Sequence, residues 1–222
     1  MVPAQVLNSA DFGAPQNRER IFFIGLNKKY LRIEAMQALC RENISDEYTP
    51  YPLKTHYNNK SHPVPMFGGK LKPYVTARTA LRGLNEPDVE KADLAQMCLS
   101  KARYYGKKRQ GNVEIKLDEV APTIRAEHHG NIEFRRLFVE HGGNLLDEVN
   151  AGLLERRLTV RECARIQTFP DDYEFIIRDS ADDLYNVSAS ASYKLIGNAV
   201  PPLLGYHIAK RLSEVWERLF IE

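Results

Sequence analysis

Cysteine is scarce in this 222-residue chain: three thiols, at 40, 98 and 163, none within four residues of another. That spacing excludes a disulfide framework and a structural zinc cluster, and it points to a reducing compartment. Long apolar runs are missing too, since none approaches the roughly 20 residues that span a bilayer. The start Met1-Val2-Pro3-Ala4-Gln5-Val6 lacks the basic and apolar regions of a secretion signal. A soluble, cytoplasmic protein is predicted, with no metal and no membrane partner. Internal repeats and low-complexity tracts are also lacking. Net charge is only +2, from 31 Lys+Arg against 29 Asp+Glu, too little to mark a nucleic-acid partner by itself. Its distribution is uneven, however, with nine Lys/Arg against five Asp/Glu between Lys101 and Arg136.

What is present suffices for one large or two small domains, with 43% hydrophobic side chains. The turn-like Asp11-Phe12-Gly13-Ala14-Pro15 precedes Arg18-Glu19-Arg20-Ile21-Phe22-Phe23-Ile24-Gly25-Leu26, read as a loop and a buried strand closed by Gly25. Helical spacing of Leu31, Ala35 and Leu39 with Ile33 and Met36 predicts a helix within 29–43. Five prolines between 48 and 74, with Gly68-Gly69, favour an irregular segment. Short helices are predicted at Thr76–Leu84 and at Asp88–Met97, the second capped by Asp88. Short strands are predicted around Ile115, Leu117 and Thr123-Ile124-Arg125. Thr159 and Glu162 have the spacing of a capping box for a helix over Leu158–Thr168, stopped by Phe169-Pro170. Pro201-Pro202 can start a last helix whose apolar stripe is Leu204, Ile208, Leu212, Val215 and Leu219.

Taken singly, the polar clusters have ordinary readings. Gln16-Asn17-Arg18-Glu19-Arg20 is a charged loop, Gly197-Asn198 a turn, and Lys107-Lys108-Arg109 a solvated face. His128-His129 is either a solvated loop or two metal ligands lacking a third. Arg161 and Arg165 suit ion pairing and phosphate contact equally. Cys163, inside the helical Arg161-Glu162-Cys163-Ala164-Arg165, reads as a core filler.

In order along the chain, however, Asn8-Ser9-Ala10-Asp11-Phe12-Gly13-Ala14-Pro15-Gln16-Asn17-Arg18-Glu19-Arg20-Ile21-Phe22-Phe23-Ile24-Gly25 resembles the eighth conserved block of DNA cytosine-5 methyltransferases. Arg157-Leu158-Thr159-Val160-Arg161-Glu162-Cys163-Ala164-Arg165-Ile166-Gln167 with Phe169-Pro170-Asp171 resembles the ninth. Tyr193-Lys194-Leu195-Ile196-Gly197-Asn198-Ala199-Val200-Pro201-Pro202 resembles the tenth. The earlier blocks of that family have no counterpart here. No Gly-x-Gly follows a strand, and the cysteines are preceded by Leu39, Met97 and Glu162 rather than proline. The resemblance therefore implies the back part of a bacterial-type enzyme, either a split subunit or a fragment.

Its implied fold class is α+β. A partial Rossmann-like methyltransferase domain is built from the N-terminal strand and C-terminal helix, and a separate loop-rich target recognition domain lies between them. The expected boundaries are 1–27 for the end of the catalytic domain, 28–178 for the recognition domain with the ninth block, and 179–222 for the return to the catalytic domain.

The resemblance also implies site residues. Arg20 matches the arginine on the cytosine O2, Arg18 the one that orders the site, and Gln16 a positioning residue. Asn198 and Ala199 contact S-adenosylmethionine, whose site is only partly present, from a turn expected just ahead of a helix, where backbone N–H groups are free. The family often has serine where Ala199 stands, which leaves only backbone contact there. Lys107, Lys108 and Arg109 would face phosphates, while Arg125, His128, His129 and Asn131 would read bases around the Thr123-Ile124 signature. The implied partners are double-stranded DNA and an N-terminal catalytic half or subunit, with self-association as a further means of covering apolar faces of residues 21–24 and the last helix. A stand-alone DNA-binding module without methyl transfer is the alternative reading.

Overall fold

A computed structural model describes residues 2–58, 71–89, 93–106, 111–126, 132–175 and 188–221. The chain divides into two compact units, Met1–Tyr74 with Pro201–Glu222, and Val75–Val200. These divisions fall at 74/75 and 200/201, whereas the sequence reading puts them at 27/28 and 178/179. Helix and strand are mixed in each unit.

In the first unit, β1 (Gln5–Asn8) runs antiparallel to β2 (Glu19–Phe22), with Gln5 opposite Phe22 and Asn8 opposite Glu19. Between them a 3-10 turn, Ser9–Phe12, is capped by the Asn8 carboxamide oxygen. That oxygen accepts from the N–H of Ala10 at 3.1 Å and of Arg18 at 3.2 Å. Gly13 leaves the turn at φ +90°, a conformation that costs a side-chain-bearing residue strain.

The strand residues were expected to be buried, and they are not: Ile21 is 60% and Phe23 72% exposed, and Val6, opposite Ile21, is 60% exposed. Side chains alternate across a strand. One face of the hairpin therefore presents Val6, Ile21 and Phe23 outward, while Leu7 and Phe22 turn into the core. An aromatic and β-branched run signals extended backbone, but its burial depends on what packs against it, and in this unit nothing described covers that face.

Helix α1 (Ile33–Leu39) buries Ala35, Ala38 and Leu39, as its spacing predicts. Two short parallel strands follow, β2's successors β3 (His56–Tyr57) and β4 (Lys72–Pro73); the rest of the proline-rich stretch from 59 to 70 lies outside the described residues. The long helix α7 (Pro202–Leu219) starts with proline in its first turn and buries Leu204, Val215 and Leu219 against Leu31, Ala35 and Leu39. Its apolar stripe is thus largely covered within the unit. The Arg32 guanidinium donates to the carbonyls of Glu217 at 2.9 Å and Phe220 at 3.0 Å, satisfying part of the helix end.

The second unit carries the other core. Its elements are α2 (Ala77–Ala80), α3 (Leu94–Met97), β5 (Phe134–Arg136), α4 (Leu146–Asn150), β6 (Arg156–Arg157), α5 (Val160–Ile166) and α6 (Ala189–Asn198). The predicted capping box is present: Thr159 Oγ1 accepts from the Glu162 N–H, and the Glu162 carboxylate accepts from the Thr159 N–H. The cap of α3 is Asp93, not Asp88, because Asp88 sits in a separate turn. Ile115 and Ile124 are core residues but not strands. Ile115 only donates its N–H to the Phe134 carbonyl at 2.9 Å, beside a single parallel bridge of Glu114 with Phe134.

Ion pairs take over much of the cross-linking in this unit. Glu86 accepts from Arg156 Nε at 2.8 Å and Arg136 Nη2 at 3.1 Å, and Arg156 Nη1 reaches the capping-box Glu162 at 2.8 Å. Arg136 also binds Glu148, which accepts from Arg135 at 2.8 Å. Burial pushes the Glu86 pKa up, but the hydrogen bonds and charges of Arg156 and Arg136 outweigh it and hold the group at about 2 against an ordinary 4.5. A carboxylate depressed on folding stabilises the fold above its unfolded pKa and loses that contribution as pH falls through the folded one. At about 1.4 kcal/mol per pKa unit, and discounted for the solvent that still screens this half-buried carboxylate, the contribution is on the order of 1–2 kcal/mol. Urea unfolding of Glu86→Gln should show a deficit of that order at neutral pH, shrinking as pH falls from about 4.5 towards 2. A deficit that stays constant over that range would remove the network from the acid response.

Candidate functional site

Three of the implied catalytic residues lie on the short path from the 3-10 turn into β2. Gln16 is fully buried, and both polar atoms of its side-chain amide lack a hydrogen-bond partner among the described residues. Its backbone carbonyl is fixed by Ser9 Oγ at 2.7 Å. Leaving an amide unpaired in the interior costs about 1–3 kcal/mol. Arg18 is 3% exposed and is anchored through its N–H on Asn8. Arg20 stands opposite Leu7 in the ladder and is exposed, with Nη1 donating to the Glu19 carbonyl at 2.7 Å. One guanidinium is therefore inside the unit and its neighbour is presented to solvent. Asp11 braces this segment: its carboxylate takes Lys54 Nζ at 2.9 Å and the Tyr74 hydroxyl, and its backbone carbonyl takes the Thr55 N–H at 2.9 Å.

Asn198 and Ala199 are in the other unit, and the structure adds to their setting. Asn198 is the last residue of α6 and Ala199 its C-cap, so the turn closes one helix as well as preceding another, α7, which starts at Pro202. Even the backbone of Ala199 is engaged: its N–H donates to the Ile196 carbonyl at 3.2 Å, and its carbonyl accepts from Gln167 Nε2 at 2.7 Å. Gln167 also donates to Ile196 O at 3.1 Å and is fully buried, so one amide clamps the turn from both sides. Asn198 itself is exposed. The sequence reading missed α6 and Gln167, although Ser188 and its acceptance of the Ala191 N–H at 3.2 Å form an ordinary N-cap. The turn thus carries an exposed amide side chain at the carbonyl end of α6, where the helix dipole leaves a partial negative charge.

Of the implied DNA contacts, Thr123, Ile124 and Arg125 are described. Ile124 is 1% exposed and packs in the core with Ile196 and Leu158, so its side chain anchors the segment from inside, and Arg125 is exposed. Lys107, Lys108, Arg109, His128, His129 and Asn131 lie outside the described residues. Gly111 and Ile132, which border those segments, and Ala102 are linked by one side chain. Arg157, 1% exposed, donates Nε to Ala102 O at 2.6 Å and Nη1 to Gly111 O at 2.5 Å and to Ile132 O, and lies 4.0 Å over the Phe134 ring.

Arg161 and Arg165 resolve towards ion pairing, the first with Asp93 and the second with Asp171, both at 2.6 Å. Cys163 is fully buried, and burial pushes its thiol well above the ordinary range, which suits packing and not nucleophilic attack. No group of three His, Cys, Asp or Glu among the described residues could hold a metal ion, and no described helix is long and apolar enough to cross a membrane.

A model of the family described as C-5 cytosine-specific DNA methylase matches residues 1–214. Among similar curated proteins, the Type II methyltransferase M.BspRI of Lysinibacillus sphaericus is 29% identical over 96% of this chain and 43% of its own length. M.NgoPII of Neisseria gonorrhoeae is 26% identical over 98% of this chain and 56% of its own. M.BsuRI of Bacillus subtilis is 29% identical over the whole of this chain and 44% of its own. The chain spans about half the length of the curated relatives it matches.

The Arg157 clamp makes a direct expectation. Arg157→Met keeps the apolar stem but strips several buried carbonyls of their donor, at about 1–3 kcal/mol for each group left unsatisfied. The urea midpoint should drop sharply. Arg157→Lys should recover little of it, since an ammonium is a point charge without the planar fork; a lysine variant with the parental midpoint would show that charge alone is what matters.

Proposed function

The chain belongs to the C-5 cytosine-specific DNA methylase family, and from that premise we propose that it is the C-terminal portion or subunit of a DNA (cytosine-5-)-methyltransferase. In this reading it recognises a DNA sequence and completes the site where a methyl group passes from S-adenosylmethionine to cytosine C5. The observation that carries the proposal is the open face of the β1–β2 hairpin. Among the described residues, Val6, Ile21 and Phe23 form an uncovered apolar surface on a two-stranded sheet, as expected of a sheet whose covering layer belongs to another segment or chain. The buried, unpaired Gln16 amide supports the same reading, because a complementary half or the bound substrate would supply its partners.

The residues present suit the division of labour. Attack of a thiolate on C6 of a flipped-out cytosine moves negative charge towards O2. The exposed Arg20 guanidinium would hold that charge, since it stays cationic and offers several donors. Arg18, packed beneath, would keep the loop in register, and Gln16 would position it. S-adenosylmethionine supplies the methyl group as a sulfonium. Asn198 and the carbonyl-rich end of α6 would face its cationic methionine portion, with the remaining walls of that pocket coming from the missing blocks. The alternating cations and polar groups from 101 to 136 would take the DNA, and the assembly would act in the cytoplasm.

The test is reconstitution. Alone, the chain should transfer no methyl groups and bind S-adenosylmethionine weakly; with a polypeptide carrying the glycine-rich loop, the Pro-Cys and the Glu-Asn-Val blocks, transfer to duplex DNA should appear. Arg20→Ala should then lower turnover by about 10²- to 10³-fold with little change in DNA affinity. Equal turnover of mutant and parent removes Arg20 from the reaction. DNA binding without any transfer in the assembly favours the stand-alone binding module.

Duplex affinity should fall with log salt by roughly 0.9 per phosphate contact. Lys107→Ala or Lys108→Ala should flatten that slope for all sequences, while Arg125→Ala or Asn131→Ala should cost about 1–3 kcal/mol on the preferred site only. If all four substitutions leave affinity and preference intact, the recognition surface lies elsewhere.

A further inference from the structure

Gly197, next to last in α6, marks a point where two segments meet with no room for a side chain. A Cβ built on it would lie 2.5 Å from the backbone nitrogen of Ala126, 2.7 Å from the carbonyl carbon of Arg125 and 2.9 Å from the Ala126 Cα. Those neighbours are backbone atoms, so none can rotate aside; either the end of α6 or the 125–126 peptide has to move.

Both are held in place on the far side of the contact. Ile196 and Ile124 are buried in one core, and Gln167 clamps the carbonyls of Ile196 and Ala199. The Tyr193 hydroxyl, one turn earlier in α6, donates to the Leu158 carbonyl at 2.7 Å and accepts the Ser100 N–H at 3.1 Å. Packed interiors are hard to compress, so a displacement on one side of Gly197 is passed to the other.

We propose that Gly197 is a positioning residue that couples the cofactor turn Asn198–Ala199 to the DNA-reading segment Thr123–Arg125. The inference rests on the functional reading above. A ligand that fixes Asn198 restrains the end of α6. Through the bare Gly197 contact it restrains the Arg125–Ala126 peptide in the position from which the segment meets DNA. Linkage makes the effect reciprocal, so DNA tightens cofactor binding by the same factor.

The experiment measures duplex affinity of the reconstituted assembly with and without S-adenosylhomocysteine, and affinity for S-adenosylhomocysteine with and without duplex. The parent should show equal factors both ways, within the roughly 5- to 150-fold usual for coupled sites. Gly197→Ala should cut that factor by about tenfold. In the isolated chain it should also speed hydrogen exchange at the amides of Arg125 and Ala126. Ala126→Gly adds no atoms and only loosens the same peptide; it should lower the factor less, and it decides the matter if Gly197→Ala fails to fold. A parent that binds both ligands, with variants that keep its coupling factor, overturns the coupling and leaves the functional reading standing. Unchanged exchange at Arg125 and Ala126 in a folded Gly197→Ala chain overturns it as well. A parent assembly that binds neither duplex nor S-adenosylhomocysteine overturns the functional reading itself, and the coupling with it.

Discussion

A buried guanidinium faced by carbonyls and an aromatic ring, with no carboxylate among the described residues in a salt bridge to it, sets the terms for the larger unit. Arg157 lies in a two-residue strand, yet its donors reach the backbone of Ala102, Gly111 and Ile132, three segments distant in sequence. Desolvation pulls its pKa down from the ordinary arginine value, but arginine starts so high that the side chain stays charged. A lysine here would face the same desolvation with a proton it can lose. The fold thus needs a residue that is cationic under all ordinary conditions and planar enough to lie over Phe134 while donating in several directions.

That requirement follows from how little regular structure the unit has. Its described sheet is two strands of two and three residues, and its helices α2, α3 and α4 are four or five residues long. Backbone groups left over from such short elements need partners. Arginines supply them: Arg136 donates to Leu154 O at 3.0 Å and Arg165 to Arg82 O at 2.8 Å, while each also holds a carboxylate. Buried charges are weak contributors to net stability compared with apolar packing. Their use here fixes where irregular segments go, which apolar contacts alone, being non-directional, would do less well.

Legibility of the sequence tracked the range of the interactions involved. The Thr159–Glu162 box, the proline start of α7 and the buried spacing of Leu31, Ala35 and Leu39 could be read because each is settled within one or two helical turns. The cap of α3 went to Asp93, and the Ile115 strand reduced to one bridge, because tertiary partners decided between local options that were nearly equal. Exposure of Ile21 and Phe23 was not legible in the strand's own composition, although the family resemblance implied that the apolar faces of residues 21–24 lack their usual cover. A strand's composition records extended backbone and apolarity, while its burial is set by what packs against it, and nothing among the described residues of this unit packs on that face. Arg20 and Arg18 were legible as a pair through family resemblance alone; nothing in their spacing says that one is buried and the other exposed.

The placement of Asn198 at the end of α6, in a turn read from sequence only as preceding a helix, adds a helix C-terminus to its surroundings. An N-terminus presents unpaired N–H groups and a partial positive charge, and it would draw a carboxylate or phosphate; a C-terminus presents carbonyls and a partial negative charge. With the Ala199 N–H spent on Ile196 and Gln167 donating to the carbonyls of both residues, the inner side of the turn is satisfied. The exposed Asn198 carboxamide then faces solvent against a weakly negative background. The small residue at 199 costs this arrangement little, because the groups that hold the turn are backbone atoms and the amide of Gln167, and a hydroxyl at that position would add a contact without being needed to keep the turn in place.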